Sequence, residues 1–201
     1  MSLFSRSPPW ASVTYWSLDL ETGGLDARRD AVLAVGMVPV RLGAVQLGQA
    51  YTSLVRPREN EAIQEDSIRA HQLVPSEVRR APLPEAVVAE IDERLRDGAL
   101  LVHSSGIDVP FLKRLYRTSR QRWPDPPVVD TVNLLWSLQQ RQRFQDPDGT
   151  AMPVLHLGQA RERLGLPPHL AHDALSDAVA TAELFLVLAS RLGAKTLRDL
   201  R

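Results

Sequence analysis

Two carboxylates stand two residues apart at the end of an apolar run near the start of the chain. Asp19 lies near the end of the apolar run over residues 13–20. Glu21 directly follows the run and precedes Thr22, Gly23 and Gly24. Side chains two residues apart on a strand point to the same face, so these carboxylates should project together. They repel each other unless a cation or a proton lies between them. A metal site is one interpretation, and a solvated strand end feeding a turn is an equal alternative for this segment alone.

A second group of candidate residues begins the last amphipathic segment. On one continuous helix, His172 and Asp177 would point away from each other. If Asp173 caps the helix, however, His172 lies in the preceding loop and Asp177 in the first turn, so both can reach one point beyond the helix N-terminus. That positive helix end also favours a bound phosphate. A capped helix with a surface histidine is the alternative.

Asp108 is a third candidate, placed after a buried-type strand and a turn of small residues. Val109 and Pro110 follow it, and proline is favourable in the first turn of a helix. Aspartate is a common N-cap residue. Taken alone, this segment favours Asp108 as the N-cap of a helix over residues 109–117, and a metal ligand is the alternative.

In chain order the three pieces resemble the motifs of the DEDDh family of 3′–5′ exonucleases, which includes the proofreading epsilon subunit of bacterial DNA polymerase III. The first piece is similar to the family's Asp-x-Glu-Thr-Thr-Gly motif, with Gly23 in place of the second Thr. The second is similar to Asn-x-x-Phe-Asp, with Ser104 and Ile107 at the Asn and Phe positions. The third, His172 to Ala178, is similar to His-x-Ala-x-x-Asp-Ala. The resemblance covers roughly residues 13–190, and its departures bear on substrate preference and loop rigidity rather than on metal binding.

The resemblance implies a metal-dependent 3′–5′ exonuclease that removes nucleoside monophosphates from the 3′ ends of DNA. It implies two Mg²⁺ or Mn²⁺ ions, hard cations that prefer oxygen ligands, and His172 as the general base. The four implied metal ligands, which with His172 form the catalytic set, are Asp19, Glu21, Asp108 and Asp177. The implied substrate-binding residues are Thr22, Gly23, Leu25 and His71.

Other functions of the same site stay open at this stage. The substrate could instead be an RNA 3′ end or a short oligoribonucleotide. The chain could also be a proofreading subunit that works with a DNA polymerase, although few residues follow the last predicted helix to form a docking tail. A nucleic-acid-binding domain without catalysis is disfavoured, because every metal and base position is filled. The expected partners are single-stranded or frayed 3′ ends of nucleic acid. A DNA polymerase and a second copy of the chain, which would form a homodimer, are further candidates.

Charge and composition limit these functions. The formal net charge is zero, whereas proteins that hold nucleic acid by phosphate neutralisation are normally basic. Positive charge must therefore be concentrated locally or supplied by metal ions, or else the chain does not bind nucleic acid. A local basic segment follows Asp108 and is either a path for the nucleic-acid strand or a solvated helix face. It comprises Lys113, Arg114, Arg117, Arg120 and Arg122.

The bulk properties predict one domain over residues 1–201 with a core of about 13–192. The chain has no cysteine, which excludes disulfides and thiolate metal sites. Residues 1–11 lack the apolar stretch of a secretory signal, and no stretch is long enough to span a bilayer. We therefore expect a cytoplasmic protein without membrane contact.

The pattern of apolar residues predicts an α/β protein, and the resemblance to DEDDh exonucleases implies that its fold is ribonuclease H-like. Short breaks between the first three apolar runs predict a three-stranded antiparallel meander, and later strands alternate with helices. The expected architecture is a mixed five-stranded sheet flanked by helices. The predicted strands are residues 13–20, 31–40, 45–55, 99–102 and 128–132, and the predicted helices are 67–73, 83–96, 109–117, 133–143, 155–164 and 175–192.

Overall fold

The computed structural model describes residues 7–71, 73–145 and 152–201, and a mixed sheet lies at its centre. The strands are β1 (Tyr15–Thr22), β2 (Val32–Arg41), β3 (Ala44–Val45), β4 (Tyr51–Leu54), β5 (Ala99–Val102) and β6 (Val128–Asp130). Their order in the sheet is β3-β2-β1-β5-β6, and β4 also pairs with β2. The β1–β2, β2–β3 and β2–β4 pairs are antiparallel, whereas β1–β5 and β5–β6 are parallel.

The sheet has six strands in the described part of the chain, where the sequence predicted five. The third apolar run is divided by a 3₁₀ turn at Leu47–Gln49. In this turn Gln49 N–H donates to Gln46 O and Ala50 N–H donates to Leu47 O, so the chain leaves the ladder for a few residues. The two parts, β3 and β4, then pair with different portions of β2. The predicted mixed α/β architecture is otherwise confirmed.

Helices cover both faces of this sheet. The sequence predicted all but α2, because Pro75 was expected only to end the preceding helix. Instead Pro75 occupies the first turn of α2, where its missing N–H is not needed. The helices are α1 (Glu65–His71), α2 (Pro75–Arg80), α3 (Pro84–Leu95), α4 (Ser105–Thr118), α5 (Thr131–Gln145), α6 (Leu157–Arg163) and α7 (Ala174–Arg191).

The alternation of residues along β1 decides which side chains meet which helices. On one face Trp16 and Leu18 pack in an apolar cluster with residues of α3 and α4. On the other face Tyr15 packs against Phe185 of α7 at a ring distance of 4.7 Å. Ser17, also on this second face, donates a hydrogen bond to the Ala178 carbonyl of α7 at 2.7 Å. Asp19 and Glu21 continue this second set, so the strand directs both carboxylates towards α7.

No helix in the described ranges is both long enough and apolar enough to cross a lipid bilayer.

Candidate active site

Three of the four predicted metal ligands converge at the end of β1. Asp19 and Glu21 come from the strand, and Asp177 comes from the first turn of α7. One carboxylate oxygen of each lies within 4.8 Å of the others. Glu21 is buried, whereas Asp19 and Asp177 keep part of their surface open to solvent. The cluster therefore lies at the end of a strand of the sheet and is partly exposed to solvent.

The start of α7 places Asp177 as the capping pattern predicted. The Asp173 carboxylate accepts the Ser176 N–H at 2.8 Å, so the helix begins at Ala174. The Asp177 carboxylate turns back and accepts the backbone N–H of His172 at 2.8 Å. His172 adopts a φ of +66° and its ring is exposed at the rim of the site.

A glycine on β2 lets α7 approach the sheet at this point. Gly36 is the β2 partner of Asp19. A Cβ at Gly36 would overlap the backbone of Ala174 and Leu175. The absence of a side chain therefore allows the first turn of α7 to rest directly on β2, beside the carboxylates of β1.

Asp108 lies next to this cluster, but it is not an N-cap as the sequence had favoured. Helix α4 begins at Ser105, which puts Asp108 inside the helix, where it is buried. The cap comes from a distant residue: the Asp130 carboxylate accepts the N–H groups of Ser104 and Ser105 at 3.1 and 2.7 Å. Because this cap is 25 residues or more away in sequence, no local pattern could reveal the true start of the helix.

The carboxylates lack sufficient positive charge around them. Burial, together with the charges of Asp108, Asp177 and Glu21, raises the pKa of Asp19 well above its usual value. Burial and the nearby Asp130 raise the pKa of Asp108 to about 8. Burial also raises the pKa of Asp177, although hydrogen bonds from His172 and His169 oppose this rise. A cation in the cluster would relieve this repulsion.

One oxygen of Glu21 provides an independent test of whether a cation fits. Glu21 Oε1 is buried and has no hydrogen-bond partner among the described residues. Buried polar atoms without partners are uncommon and call for an explanation such as an ion. The surrounding donors are carboxylate oxygens, the ligands that hard divalent cations prefer. The residues present therefore fit a divalent metal ion.

His71, predicted to bind substrate, contacts a carboxylate of the cluster. Its Nδ1 lies against Glu21 Oε2, and its Nε2 is 3.2 Å from the Thr22 carbonyl oxygen. The hydrogen bond to Glu21 raises the pKa of His71, and burial partly offsets this rise. The structure thus brings His71 to the site, where it supports Glu21.

The other predicted substrate residues lie in the loop that follows β1. The Thr22 hydroxyl donates to the Gly24 carbonyl at 2.7 Å. A Cβ at Gly23 would lie only 2.6 Å from the Ala62 carbonyl oxygen, which explains why a threonine is not accommodated at this position. Leu25 is 83% exposed and is the most exposed member of the predicted substrate-binding set.

Two residues that contribute to the site were missed in the sequence. His169 Nε2 lies 2.7 Å from Asp177 Oδ1, yet His169 falls outside every motif. Asp130 holds the start of α4, as described above, and also accepts the Val132 N–H at 2.9 Å. An aspartate between a strand and a helix is a recognisable capping signal for α5, but nothing in the sequence indicates its bond to α4.

The chain is similar in sequence to known proteins. A family model described as Exonuclease matches residues 17–185. A DNA polymerase III subunit epsilon-like protein of Rhodobacter capsulatus is 31% identical over 196 residues, which is 94% of this chain and 25% of the relative. The 3′–5′ exonuclease DinG of Staphylococcus aureus is 25% identical over 179 residues, which is 87% of this chain and 18% of the relative. The chain thus spans a quarter or less of the length of these two curated relatives.

The fold is also similar to that of a solved enzyme. The structure of E. coli Exonuclease I in complex with a dA16 oligonucleotide superposes with a TM-score of 0.74. It is 18% identical in sequence, and the match covers 90% of this chain and 42% of that one. The ribonuclease H-like fold predicted from the sequence is confirmed.

Proposed function

Because this chain belongs to the exonuclease family, we propose that it removes nucleoside monophosphates from the 3′ ends of DNA by metal-dependent phosphodiester hydrolysis. The observation that carries this proposal is the convergence of Asp19, Glu21 and Asp177 at the open end of β1. One relative is named as a 3′–5′ exonuclease, which supports degradation from the 3′ end. Others are named as DNA polymerase III proteins, which supports DNA as the substrate. We propose that residues 1–201 form one exonuclease domain.

Asp19, Glu21 and Asp177 would hold Mg²⁺ or Mn²⁺, and the neighbouring Asp108 would be the fourth ligand. Together these four carboxylates would bind two ions. Bound metal would polarise the scissile phosphate and lower the pKa of the attacking water. The metal would also supply the local positive charge that the neutral chain does not provide as net charge.

His172 would act as the general base that takes the proton from the attacking water. Its ring is exposed at the rim, and its backbone N–H is anchored on Asp177 at 2.8 Å. This bond anchors the backbone of His172 on the proposed metal ligand and leaves both ring nitrogens out of it. Histidine is the side chain that most often transfers protons in general acid–base catalysis.

The substrate would enter as a single-stranded or frayed 3′ end. Leu25, exposed in the loop that follows β1, would contact the terminal nucleotide, and Thr22, Gly23 and His71 would shape the floor below it. Several further possibilities remain predictions from the sequence. They are RNA ends or short oligoribonucleotides as substrates, a polymerase or a second copy of the chain as partner, and a cytoplasmic location.

The decisive experiment uses 5′-labelled DNA and RNA oligonucleotides of one sequence, incubated with the 201-residue chain and Mn²⁺. We expect a ladder of progressively shortened DNA products, with nucleoside monophosphates released. A ladder on RNA alone would assign the substrate to RNA. No shortening of either polymer would contradict the proposal, and release of internal fragments only would indicate an endonuclease instead.

Replacement of the central ligand is the first matched test. Asp19→Ala should abolish shortening at any Mn²⁺ concentration, because it removes the carboxylate that neighbours all the others. Asp66→Ala, which removes an exposed carboxylate of α1, should retain wild-type rates. Equal activity of the two variants would contradict the assignment of the site.

A further inference from the structure

His169 lies in the loop between α6 and α7 and contacts a proposed metal ligand. Its Nε2 is 2.7 Å from Asp177 Oδ1, and the side chains of His169 and Asp177 are only 11% and 14% exposed. The second oxygen, Oδ2, accepts the backbone N–H of His172 at 2.8 Å. One loop therefore holds both oxygens of Asp177.

The direction of the first bond follows from the chemistry of its partners. An ionised carboxylate can only accept hydrogen bonds, so the His169 Nε2 must carry a hydrogen and donate it. A carboxylate oxygen has two lone-pair positions, so this bond leaves Oδ1 with one position for another ligand. The bond to His169 is thus compatible with a cation on the same carboxylate.

The His169 ring faces α6 on one side and Asp177 on the other. The ring lines a cavity of about 430 Å³ between α6 and the loop that leads to α7. Gly158 of α6 faces the ring, and a Cβ added there would lie 3.6 Å from His169 Cε1. The ring therefore lies between α6 and the carboxylates, with its donor nitrogen directed at Asp177.

We infer that His169 is a positioning residue that orients the Asp177 carboxylate for metal binding. This inference rests on the proposed function, because it assigns His169 a role towards the same metal site. Hydrogen-bonded partners of metal ligands commonly fix the orientation of the ligand, and their loss typically weakens metal affinity by about 10- to 100-fold. His169 would act through Asp177 and would not touch the substrate.

The test measures Mn²⁺ binding to the full chain by calorimetry, without nucleic acid. His169→Ala removes the donor and should weaken Mn²⁺ binding at least about tenfold. His169→Gln keeps an N–H donor at a similar distance from the backbone and should restore most of the affinity. His156→Ala, which removes a second imidazole from the wall of the same cavity, should bind Mn²⁺ as the wild type does.

Two results would overturn the inference. His169→Ala could bind Mn²⁺ as tightly as the wild type, or His169→Gln could be as impaired as His169→Ala, which would indicate a role in packing alone. If the wild type degrades DNA and binds Mn²⁺ but His169→Ala is unaffected, only this inference fails. If the wild type neither binds Mn²⁺ nor degrades DNA, the proposed function fails with it.

Discussion

At the scale of single residues, the backbone and the side chain of His172 have separable roles. The backbone N–H holds Asp177 at 2.8 Å, whereas the ring is exposed at the rim. A substitution that removes only the ring therefore leaves the support of Asp177 in place. This separation makes it possible to test the base without disturbing the metal ligands.

We expect His172→Ala to retain Mn²⁺ affinity and to lose turnover by about 10²- to 10⁴-fold, the usual contribution of a general base. Calorimetry measures the first quantity and the release of nucleoside monophosphates measures the second. His172→Asn is the matched control for the backbone, because asparagine tolerates the positive φ of +66° at this position better than most residues. Near-wild-type hydrolysis by either variant would remove His172 from the role of base.

At the scale of elements, the site depends on how closely the first turn of α7 approaches β2. The Gly36 position faces the backbone of Ala174 and Leu175, and backbone atoms cannot move aside as a flexible side chain can. The Ser17 hydroxyl, bonded to the Ala178 carbonyl at 2.7 Å, fixes the next turn of the helix to β1. These two contacts set the distance between Asp177 and the carboxylates of the strand.

Gly36→Ala should therefore displace the start of α7 and disturb the metal site. We expect a loss of about 1–3 kcal/mol in the free energy of unfolding, the usual range for overpacking, together with weaker Mn²⁺ binding. Urea unfolding and calorimetry measure the two effects. Gly48→Ala is the control, because a Cβ there meets nothing within 4 Å. Unchanged stability and unchanged Mn²⁺ affinity in Gly36→Ala would contradict this account of the helix position.

The elements also show which features of the fold the sequence could predict. The start of α7 was predicted because its cap is local, with Asp173 accepting the N–H of Ser176. The start of α4 was predicted wrongly because its cap, Asp130, comes from β6. Strand alternation brought Asp19 and Glu21 to one face, as predicted. The contact of His169 with Asp177 could not be foreseen, because it depends on the path of a loop.

At the scale of the whole molecule, much of the positive charge is engaged within the protein. Arg114, in the basic segment after Asp108, donates to the Asp30 carbonyl at 2.7 Å and to Glu61 at 2.9 Å. Arg161 is buried and pairs with Glu183 at 2.7 Å. Arg114 is therefore committed to the fold rather than to a nucleic-acid strand. This internal pairing, in a chain of zero net charge, increases the need for metal ions beside a bound phosphate.

The uncompensated carboxylates predict how the stability of the metal-free chain depends on pH. The pKa values of Asp19, Asp108 and Asp177 are raised in the folded state, that of Asp108 to about 8 from 3.8. Between these two values the folded chain binds more protons than the unfolded chain, so the free energy of unfolding falls as pH rises. His71, whose pKa is also raised, acts in the same direction, whereas His103, whose pKa is lowered by burial, opposes it near its ordinary titration range.

We therefore expect the melting temperature in EDTA to fall between pH 5 and pH 8, the interval within which Asp108 is protonated only in the folded state. Mn²⁺ should raise the melting temperature more at pH 8 than at pH 5, because binding requires ionised carboxylates and relieves their repulsion. Asp108→Asn should flatten the dependence in EDTA, because the amide carries no charge at either pH. Differential scanning calorimetry measures these shifts. A melting temperature in EDTA that rises towards pH 8, with an equal effect of Mn²⁺ at both values, would contradict the raised pKa values of these carboxylates in the folded chain.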